Sequence, residues 1–298
     1  MRPDAQSRFE LDRPLNLSLT LGPIGFGPWL RADPAEAWRA ARTPLGPATI
    51  HLKHDGRAVA AEAWGQGAEW AVERAPLLCG QADDDSGFRP DHPLLRRLHR
   101  SHIGLRVLRT DRVFEAALPV ILGQLVTTIE AHASYRGLVT ALGEPAPGPM
   151  VMRLPPPPDV LASMPYWSYH RFGIERRRAQ VIIRAARSVK RLEEIVGMNR
   201  AAAYWRMEAF PGIGPWTAAK VALVALGDAD SVPVGDYHLP HAIGFALEGT
   251  PRSTDERMLE LLDPYRGHRA RVIRLITLAG IGAPRYGPHA PLRDIAHI

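Results

Sequence analysis

Cysteine is almost absent from this sequence, since Cys79 is the single cysteine among 298 residues. One cysteine cannot form an internal disulfide, and it cannot supply a four-cysteine zinc site or a cysteine-ligated iron–sulfur cluster within one chain. The sequence also lacks a run of about 18 apolar residues, which argues against a membrane-spanning helix. Because residues 1–5 show no apolar segment of the kind found in signal peptides, we expect a cytoplasmic protein.

Positive charge is in mild excess, with a formal net charge of +6 and an isoelectric point of about 9.8. The excess is concentrated in two segments rather than spread along the chain. Such clusters indicate a polyanionic partner such as nucleic acid, although a basic protein without a special partner would also account for them. The first segment contains Arg171, Arg176, Arg177, Arg178, Arg184, Arg187, Lys190 and Arg191, and the second contains Arg266, Arg269, Arg271 and Arg274.

The first hundred residues have the pattern of short strands with some helix. Residues 15–21 alternate strictly between apolar and polar side chains, which predicts a strand with one buried face. Residues 48–64 predict a β-hairpin that turns at Asp55 and Gly56. Between these segments, Asp33 followed by Pro34 predicts the start of a short helix over 33–42. Residues 83–87 are predicted to be a loop.

After about residue 110 the apolar residues take on helical spacing. The segment 111–130 predicts a helix that Pro119 should kink or divide. Residues 142–158 are rich in proline and glycine, and we expect a loop there. Further helices are predicted over 174–195, from a cap at Asn199 to about 209, over 217–226 with Gly227 at its end, over 237–247 and over 268–279, and the chain after Gly280 is expected to be extended.

The most informative stretch is MEAFPGIGPWTAAKV at 207–221, in which one helix ends and another begins. Gly212 and Gly214 tolerate the positive φ of a tight turn and allow another backbone to approach closely. The N–H groups at the start of the second helix would form an anion site suited to a phosphate. A bare Gly-x-Gly between helices is more often a plain helical hairpin, so the functional interpretation depends on the longer string.

The string FPGIGPWTA at 210–218 closely resembles the helix–hairpin–helix of a DNA glycosylase superfamily that is named for this element and for a Gly/Pro-rich loop with an aspartate. That resemblance implies an aspartate further along, at the start of a helix, and Asp236 in the string VPVGDY supplies it. A simple helix N-cap is the plainer interpretation of Asp236. The two roles are compatible, because a helix N-terminus favours an ionised carboxylate.

A second match lies upstream, where ILGQLV at 121–126 resembles a segment of the AlkA-like 3-methyladenine glycosylases within that superfamily. The resemblance implies that Leu125 wedges into the duplex where the damaged base leaves. Helical spacing alone would instead favour a leucine in the core. Segments at 172–179 and 264–270 also resemble this branch, and the likeness covers residues 103–279.

The resemblance implies a mainly α fold. An all-α helix–hairpin–helix DNA glycosylase domain, with two helical lobes and a cleft, is expected over residues 109–285. A smaller α+β domain with an antiparallel sheet is expected over residues 1–108, and an extended tail over 286–298. The implied partner is double-stranded damaged DNA and not a membrane, bound by a monomer in the cytoplasm at the bacterial nucleoid.

The implied reaction is hydrolysis of the N-glycosidic bond of a flipped-out damaged base of the alkylated, 3-methyladenine type. The resemblance makes Asp236 the catalytic residue, because a carboxylate stabilises the oxocarbenium character that develops on the sugar. Expected substrate-pocket residues are Trp216, Tyr265, Gln124 and Lys220. The expected DNA-binding residues are Leu125, Gly212, Gly214, Thr217, Arg177, Arg178, Arg266 and Arg269.

Three positions depart from the pattern of relatives. Tyr265 stands where relatives have the tryptophan of a Pro-Trp-Arg segment. Lys220 stands where the best-described relatives have a tyrosine, and a cation there would repel a positively charged base, so the identity of the base stays open. Superfamily members that also cut the DNA backbone use a Schiff-base lysine two positions after the Gly-x-Gly turn. Trp216 occupies that position here, which predicts a monofunctional enzyme without lyase activity. No iron–sulfur cluster is expected, while a structural Na⁺ or K⁺ on the carbonyls of Phe210 and Ile213 is allowed by the resemblance.

Other interpretations of the same residues remain open. Asp236, His238 and His241 could instead be ligands in a metal-dependent hydrolase. The hairpin could also belong to a DNA-binding lesion sensor that does not excise bases. A glycosylase for a deaminated or oxidised base is a third alternative. Release of free base from damaged DNA would discriminate between the enzyme and the sensor.

Overall fold

The computed structural model describes residues 1–25 and 27–284. The N-terminal part is built on a five-stranded antiparallel sheet with the strand order β1-β5-β4-β3-β2. The helix α2 (Ala68–Leu78) packs against one face of this sheet, on β1, β4 and β5. The strands are β1 (Ala5–Glu10), β2 (Leu30–Ala32), β3 (Glu36–Thr43), β4 (Gly46–His54) and β5 (Ala58–Trp64).

The hairpin predicted over 48–64 is confirmed as β4 and β5. The Asp55 carboxylate accepts hydrogen bonds from the N–H groups of Arg57 and Ala58 at 2.8 and 2.9 Å, which closes the turn. Gly56 has φ +91°, a backbone conformation that favours glycine. The turn chemistry that the sequence displayed therefore agrees with the pairing that the sheet requires.

Two predictions for the N-terminal part are wrong. Residues 15–21 form a short helix, α1 (Leu17–Leu21), because the Asn16 side chain accepts a hydrogen bond from the Leu19 N–H at 3.0 Å and caps it. Residues 33–42 contain β3 instead of a helix. The Asp33 carboxylate accepts from the N–H groups of Ala35 and Glu36, which makes a turn between β2 and β3. Strand pairing on both sides of β3 overrides the local helix signal.

The remainder of the described chain is helical. Short 3-10 helices occur at Gly22–Ile24, Tyr166–Phe172, Glu194–Gly197 and Asp263–Tyr265. The α-helices are α3 (Pro93–Ser101), α4 (Val113–Leu122), α5 (Thr128–Leu142), α6 (Pro158–Ser163), α7 (Arg176–Arg187), α8 (Val189–Glu193), α9 (Arg200–Glu208), α10 (Pro215–Ala225), α11 (Leu239–Glu248), α12 (Asp255–Leu262) and α13 (Arg269–Leu278).

Several helix boundaries differ from the predictions. The break within 111–130 comes at residues 123–127 and not at Pro119, which lies inside α4. A capping box then starts α5, since the Thr127 and Glu130 side chains each accept from the other residue's main chain. The segment 174–195 is divided at Ser188 into α7 and α8. The loops predicted at 83–87 and 142–158 are confirmed up to α6, whereas the helices α2, α3, α6 and α12 were not predicted.

The buried apolar residues form two large clusters. The first joins the sheet and α2 to α4, α5, α7, α9 and α10, and the second joins α3 to α11, α12 and α13. The segment that carries Asp236 connects α10 of the first cluster to α11 of the second. The predicted fold class, helical with a preceding α+β part and an antiparallel sheet, is confirmed.

The predicted domain boundaries are not decided by this packing. Helix α3 lies before residue 108 in the sequence but packs against α13. The buried carboxylate of Asp83 also pairs with Arg13 on one side and with Arg271 of α13 on the other. The division at 108 and 109 therefore stays a prediction, and the predicted tail over 286–298 lies outside the described residues. Within residues 1–25 and 27–284, no helix has both the length and the apolar character needed to cross a membrane.

Candidate active site

Two connections between helices meet at one place on the surface. The α4–α5 turn comprises residues 123–127, and the α9–α10 hairpin comprises residues 209–214. The side-chain amide of Gln124 donates to the Gly212 carbonyl and to Thr217 Oγ1, both at 2.9 Å. These two hydrogen bonds tie the turn to the hairpin.

Gly212 is required by the conformation of the hairpin. The Ile213 N–H donates to the Phe210 carbonyl at 2.9 Å, and this tight turn gives Gly212 a φ of +95°. A Cβ atom at Gly212 would lie only 2.4 Å from Val181 Cγ2 on α7. Any side chain here would therefore force α7 and the hairpin apart.

Gly214 is under no such constraint. Its φ is −97°, and a Cβ built at this position would have no atom within 4 Å. Gly214 is exposed and is the N-cap of α10, and the N–H groups of Gly212, Gly214 and Trp216 have no hydrogen-bond partner among the described residues. The hairpin thus presents free N–H donors at the positive end of a helix, with no side chain in front of them.

Asp236 is held by three donors in the segment between α10 and α11. One oxygen accepts from the N–H groups of His238 and Leu239 at 3.0 and 3.1 Å, and this caps the approach to α11. The other oxygen accepts from Trp216 Nε1 at 2.8 Å. The preceding Gly235 has φ +87° and donates its N–H to Asp255 at 3.0 Å. The capping role and the contact with the hairpin therefore occur together.

The electrostatics around Asp236 favour its carboxylate form. Burial opposes ionisation, but it is outweighed by the hydrogen bond from Trp216, the N–H of His238, the charge of Lys220 and the N–H of Leu239. The pKa of the Asp236 carboxyl consequently lies below its usual value. A fixed negative charge is present at this point at neutral pH.

Lys220 lies one helical turn after Trp216 on α10. Its ammonium nitrogen is 4.7 Å from the centroid of the Trp216 ring. Burial lowers the pKa of Lys220 below its usual value, although the nearby Asp236 carboxylate acts in the opposite direction. The site therefore sets an indole, an ammonium and a carboxylate side by side.

Leu125 is the most unusual residue of the α4–α5 turn. Its side chain is 80% exposed and its φ is +58°, in the left-handed region that a leucine seldom adopts. Strained backbone of this kind, at a cost of about 1–3 kcal/mol, points to a function that needs the conformation. Two further apolar side chains are exposed beside these elements, Ile129 at 70% and Tyr237 at 80%. Sequence reasoning missed both, although an aromatic residue directly after Asp236 was a usable signal.

Arg178 has a different place from the one predicted. Its side chain is 2% exposed, pairs with Glu175, and donates to the carbonyls of Leu122 at 2.6 Å and Gly173 at 3.0 Å. Burial removes the guanidinium from the surface, which argues against the predicted DNA contact of Arg178. Its observed contact is with the last residue of α4, directly before the α4–α5 turn.

The other predicted site residues lie in several different parts of the structure. Arg177 is exposed on α7, Arg266 is exposed and pairs with Asp263, and Arg269 forms an ion pair with Asp230 at 2.7 Å. The Thr217 side chain is buried, so a DNA contact there would fall to its main chain. Tyr265 lies in the second apolar cluster, with its ring 6.4 Å from that of Phe88, and no contact with Trp216 or Asp236 is recorded in the described chain.

The metal-site interpretation receives no support from these side chains. Within the described residues, no group of three or more His, Cys, Asp and Glu side chains is placed to hold a metal ion. His241 Nδ1 instead accepts the Ser253 N–H at 3.1 Å. The Phe210 carbonyl already accepts from Ile213, and a Na⁺ or K⁺ bound to the carbonyls of Phe210 and Ile213 stays a prediction. Cys79 is buried in the first apolar cluster.

Comparison with known proteins was made by sequence and by structure. No protein-family model matches the chain. The chain is 26% identical over 179 residues to a DNA-3-methyladenine glycosylase of Bacillus subtilis, a match that covers 58% of this chain and 59% of the relative. It is 30% identical over 152 residues to a probable bifunctional transcriptional activator/DNA repair enzyme AlkA of Mycobacterium tuberculosis, covering 49% of this chain and 30% of the relative. The match thus spans less than two thirds of either relative.

Solved structures match over nearly the whole chain. A 3-methyladenine DNA-glycosylase from Archaeoglobus fulgidus superposes with a TM-score of 0.77 at 20% identity, covering 91% of this chain and 97% of that one. An 8-oxoguanine glycosylase/lyase of Clostridium acetobutylicum, in complex with double-stranded DNA containing cytosine opposite 8-oxoG, superposes with a TM-score of 0.69 at 14% identity, covering 94% and 98%. The resemblance indicated by the sequence motifs is confirmed: this chain has the fold of the helix–hairpin–helix DNA glycosylases, and the curated relatives it matches include a DNA-3-methyladenine glycosylase and an AlkA protein.

Proposed function

We propose that this chain is a base-excision DNA glycosylase that hydrolyses the N-glycosidic bond of a damaged base flipped out of double-stranded DNA. The observation that carries the proposal is the hydrogen bond from Trp216 Nε1 to Asp236. It sets an ionised carboxylate beside an aromatic ring, next to a hairpin with free N–H donors. A carboxylate and a flat aromatic surface are what a flipped nucleotide needs, one for the sugar and one for the base.

The carboxylate of Asp236 would act on the sugar. As the bond between C1′ and the base breaks, positive charge builds up on the sugar ring, and a fixed negative charge stabilises it. The three donors that hold Asp236 keep its orientation and its ionised state. The water molecule that completes the hydrolysis adds to C1′ as the base departs.

The α9–α10 hairpin would hold the DNA backbone. The N–H groups of Gly212, Gly214 and Trp216 are unpaired in the described chain and stand at the start of α10, which suits a phosphate. Such contacts position the duplex and read no sequence. The absence of a side chain at Gly214 leaves room for the phosphate to approach.

The α4–α5 turn would fill the gap left by the flipped nucleotide. Leu125 is exposed, apolar and held in a strained conformation, which are properties of a side chain that inserts between base pairs. Gln124 fixes the turn to the hairpin, so the inserted residue and the phosphate grip keep a constant spacing.

The substrate and the type of cleavage are narrower parts of the proposal. The names of the relatives favour an alkylated base. Trp216 at the position of the Schiff-base lysine favours base removal without strand cleavage. Borohydride reduction during turnover tests this point, because it would trap a Schiff base as a covalent protein–DNA product if the enzyme had lyase activity. If that product were lost in Lys220→Met, Lys220 would be the amine that forms the Schiff base.

The test of the enzyme is Asp236→Asn. We expect single-turnover excision from a damaged duplex to fall at least about 100-fold, because the charge opposite the oxocarbenium is lost. Binding to abasic-site DNA should persist, since the hairpin is unaltered. The matched control is Asp159→Asn, which removes an exposed aspartate in the first turn of α6 and should leave excision unchanged.

Two outcomes would overturn the proposal in different ways. If Asp236→Asn excises as fast as the unaltered protein, Asp236 is only a helix cap. If the unaltered protein binds damaged duplex tightly but releases no free base from alkylated, deaminated or oxidised DNA, the chain is a lesion sensor instead of an enzyme.

A further inference from the structure

Lys220 has an environment unlike that of Lys53 and Lys190, which are exposed. Its ammonium lies over the Trp216 ring and acts on Asp236, so it stands in the site itself. No hydrogen bond or salt bridge from its nitrogen is recorded within the described residues. An ammonium group carries three N–H donors and no acceptor, so this site holds unused donor capacity beside the ring.

A cation at this point discriminates between bases by charge. A base stacked near Trp216 would lie close to the Lys220 ammonium, away from bulk water. Like charges repel more strongly there than in water, so a cationic N-alkylated purine would be disfavoured. A neutral base instead offers ring nitrogen and carbonyl oxygen acceptors to the ammonium.

Charge also determines how much help the departing base requires. A cationic base leaves its sugar as a neutral molecule. A neutral base leaves as an anion unless a proton reaches it during bond cleavage, and a positioned acid can supply that proton. The site therefore contains the group that a neutral substrate needs and a cationic substrate does not.

Resting on the proposed glycosylase function, we propose that Lys220 is a catalytic proton donor to the departing base. It follows that the site prefers damaged bases that are neutral within the nucleotide, such as cyclic alkyl adducts or deaminated purines, over cationic N-alkylated purines. The Asp236 carboxylate acts on the sugar while the Lys220 ammonium acts on the base.

Every proton and electron pair in the proposed bond cleavage has a source and a destination. The C1′–N bond breaks and its electron pair goes to the base nitrogen, while the Lys220 ammonium gives one proton to an acceptor on the base. Water adds to C1′ and its proton passes to solvent, and the neutral amine then takes up a proton from solvent. The lowered pKa of Lys220, caused by burial and opposed by Asp236, makes it a stronger acid than an exposed lysine.

The experiment compares two sets of duplexes that differ only at the damaged base. The neutral set carries hypoxanthine or 1,N6-ethenoadenine, and the cationic base is 7-methylguanine. Single-turnover excision is measured for the unaltered protein, Lys220→Met, Lys220→Arg and the control Lys53→Met. We expect the unaltered protein to prefer at least one neutral base, and Lys53→Met to behave identically.

The two variants of Lys220 should separate the effect of its positive charge from the effect of its proton transfer. Lys220→Met should lose about 100-fold or more on the preferred neutral base, as is typical for removal of a general acid, while excision of 7-methylguanine is unchanged or faster. Lys220→Arg keeps the positive charge but does not release a proton, and should be slow on both kinds of base. Thermal unfolding of each variant shows that the fold is retained.

Three results would overturn the proposal. Excision of 7-methylguanine that is at least as fast as that of every neutral base, or an equal loss on both kinds in Lys220→Met, rejects the role of Lys220. In either case, if Asp236→Asn still abolishes excision, the proposed glycosylase function stands without a catalytic role for Lys220. Release of no base from any duplex by the unaltered protein rejects both proposals together.

Discussion

The α4–α5 turn and the α9–α10 hairpin lie against each other, but they are built in opposite ways. The turn places an apolar side chain, Leu125, in solvent and holds it at a φ of +58°. In the hairpin, the exposed residue Gly214 has no side chain, although its backbone conformation is one that any residue could adopt. One connection therefore presents a side chain at the expense of strain, and the other presents bare main chain.

Because the turn and the hairpin present different groups, each is suited to a different feature of a DNA duplex. A strained, exposed leucine is unfavourable in the free protein and favourable between base pairs. Unpaired N–H groups with open space before them are suited to a phosphate oxygen. Gln124 connects the two, so that the phosphate contact and the inserted side chain that we propose would keep a constant spacing.

The largest expected effect separates the two glycines of the hairpin. Gly212→Ala should lower the free energy of unfolding by about 3 kcal/mol, because its Cβ would collide with Val181 and its φ is unfavourable for alanine. Gly214→Ala should change that free energy by less than about 0.5 kcal/mol. Denaturant unfolding of both variants measures the contrast.

Gly214→Ala should nevertheless weaken binding to DNA. The added methyl group would stand in front of N–H donors that we assign to a phosphate, at a cost of about 1.5 kcal/mol, or roughly tenfold in Kd. The loss should be equal for damaged and undamaged duplexes, since a phosphate contact carries no sequence information. Equal destabilisation by the two alanines, or unchanged binding by Gly214→Ala, would remove the distinction between the glycines.

A smaller effect is expected at the neighbouring arginines of α7. Arg178→Met should destabilise the protein by about 2 kcal/mol, because the carbonyls of Leu122 and Gly173 lose their buried donor. The exposed Arg177→Met should leave stability unchanged and weaken only DNA binding. Unfolding curves and equilibrium binding by both variants decide this. A stable Arg178→Met with weakened binding would restore the surface role predicted from the sequence.

The smallest effect on stability is expected at Leu125. Leu125→Gly should leave the free energy of unfolding unchanged or raise it by up to about 1 kcal/mol, since glycine relieves the left-handed conformation. Excision from duplex DNA should fall, whereas excision from single-stranded DNA, which leaves no gap to fill, should be affected much less. Leu45→Gly, at an exposed leucine of the β3–β4 turn, is the matched control. Equal loss on both substrates would contradict insertion by Leu125.

Sequence reasoning succeeded where the signal was local and failed where neighbours decided. Asp55 and Gly56 specify their hairpin by their own turn chemistry, and the strand pair was predicted. Residues 33–42 carry an equally plausible helix start, yet pairing with β2 and β4 makes them a strand. The alternation at 15–21 similarly lost to the cap at Asn16. Local pattern is a weak guide when strand pairing or a side-chain cap competes with it.

The arginine-rich segment shows the same limit at the level of single side chains. Its charge density indicated a polyanionic partner, and Arg177 is indeed exposed. Helical spacing places Arg178, the next residue, on the same face as Val181 and Ile182, but it could not reveal that the guanidinium holds the end of α4. A guanidinium can serve as a phosphate ligand or as an internal donor to carbonyls, and only the surrounding carbonyls of Leu122 and Gly173 distinguish the two.

The sequence by itself determined the fold class, the hairpin string and the aspartate that follows it, and its single cysteine excluded a cysteine-ligated cluster within the chain. These depend on residue identity and spacing, which are visible in one dimension. The tertiary structure alone decided that Trp216 bonds Asp236, that Gln124 joins two connections and that Leu125 is held strained and exposed. The contacts of Trp216 and of Gln124 bring together residues far apart in the chain, and the packing of α4, α9 and α10 sets the geometry of the hairpin and the turn.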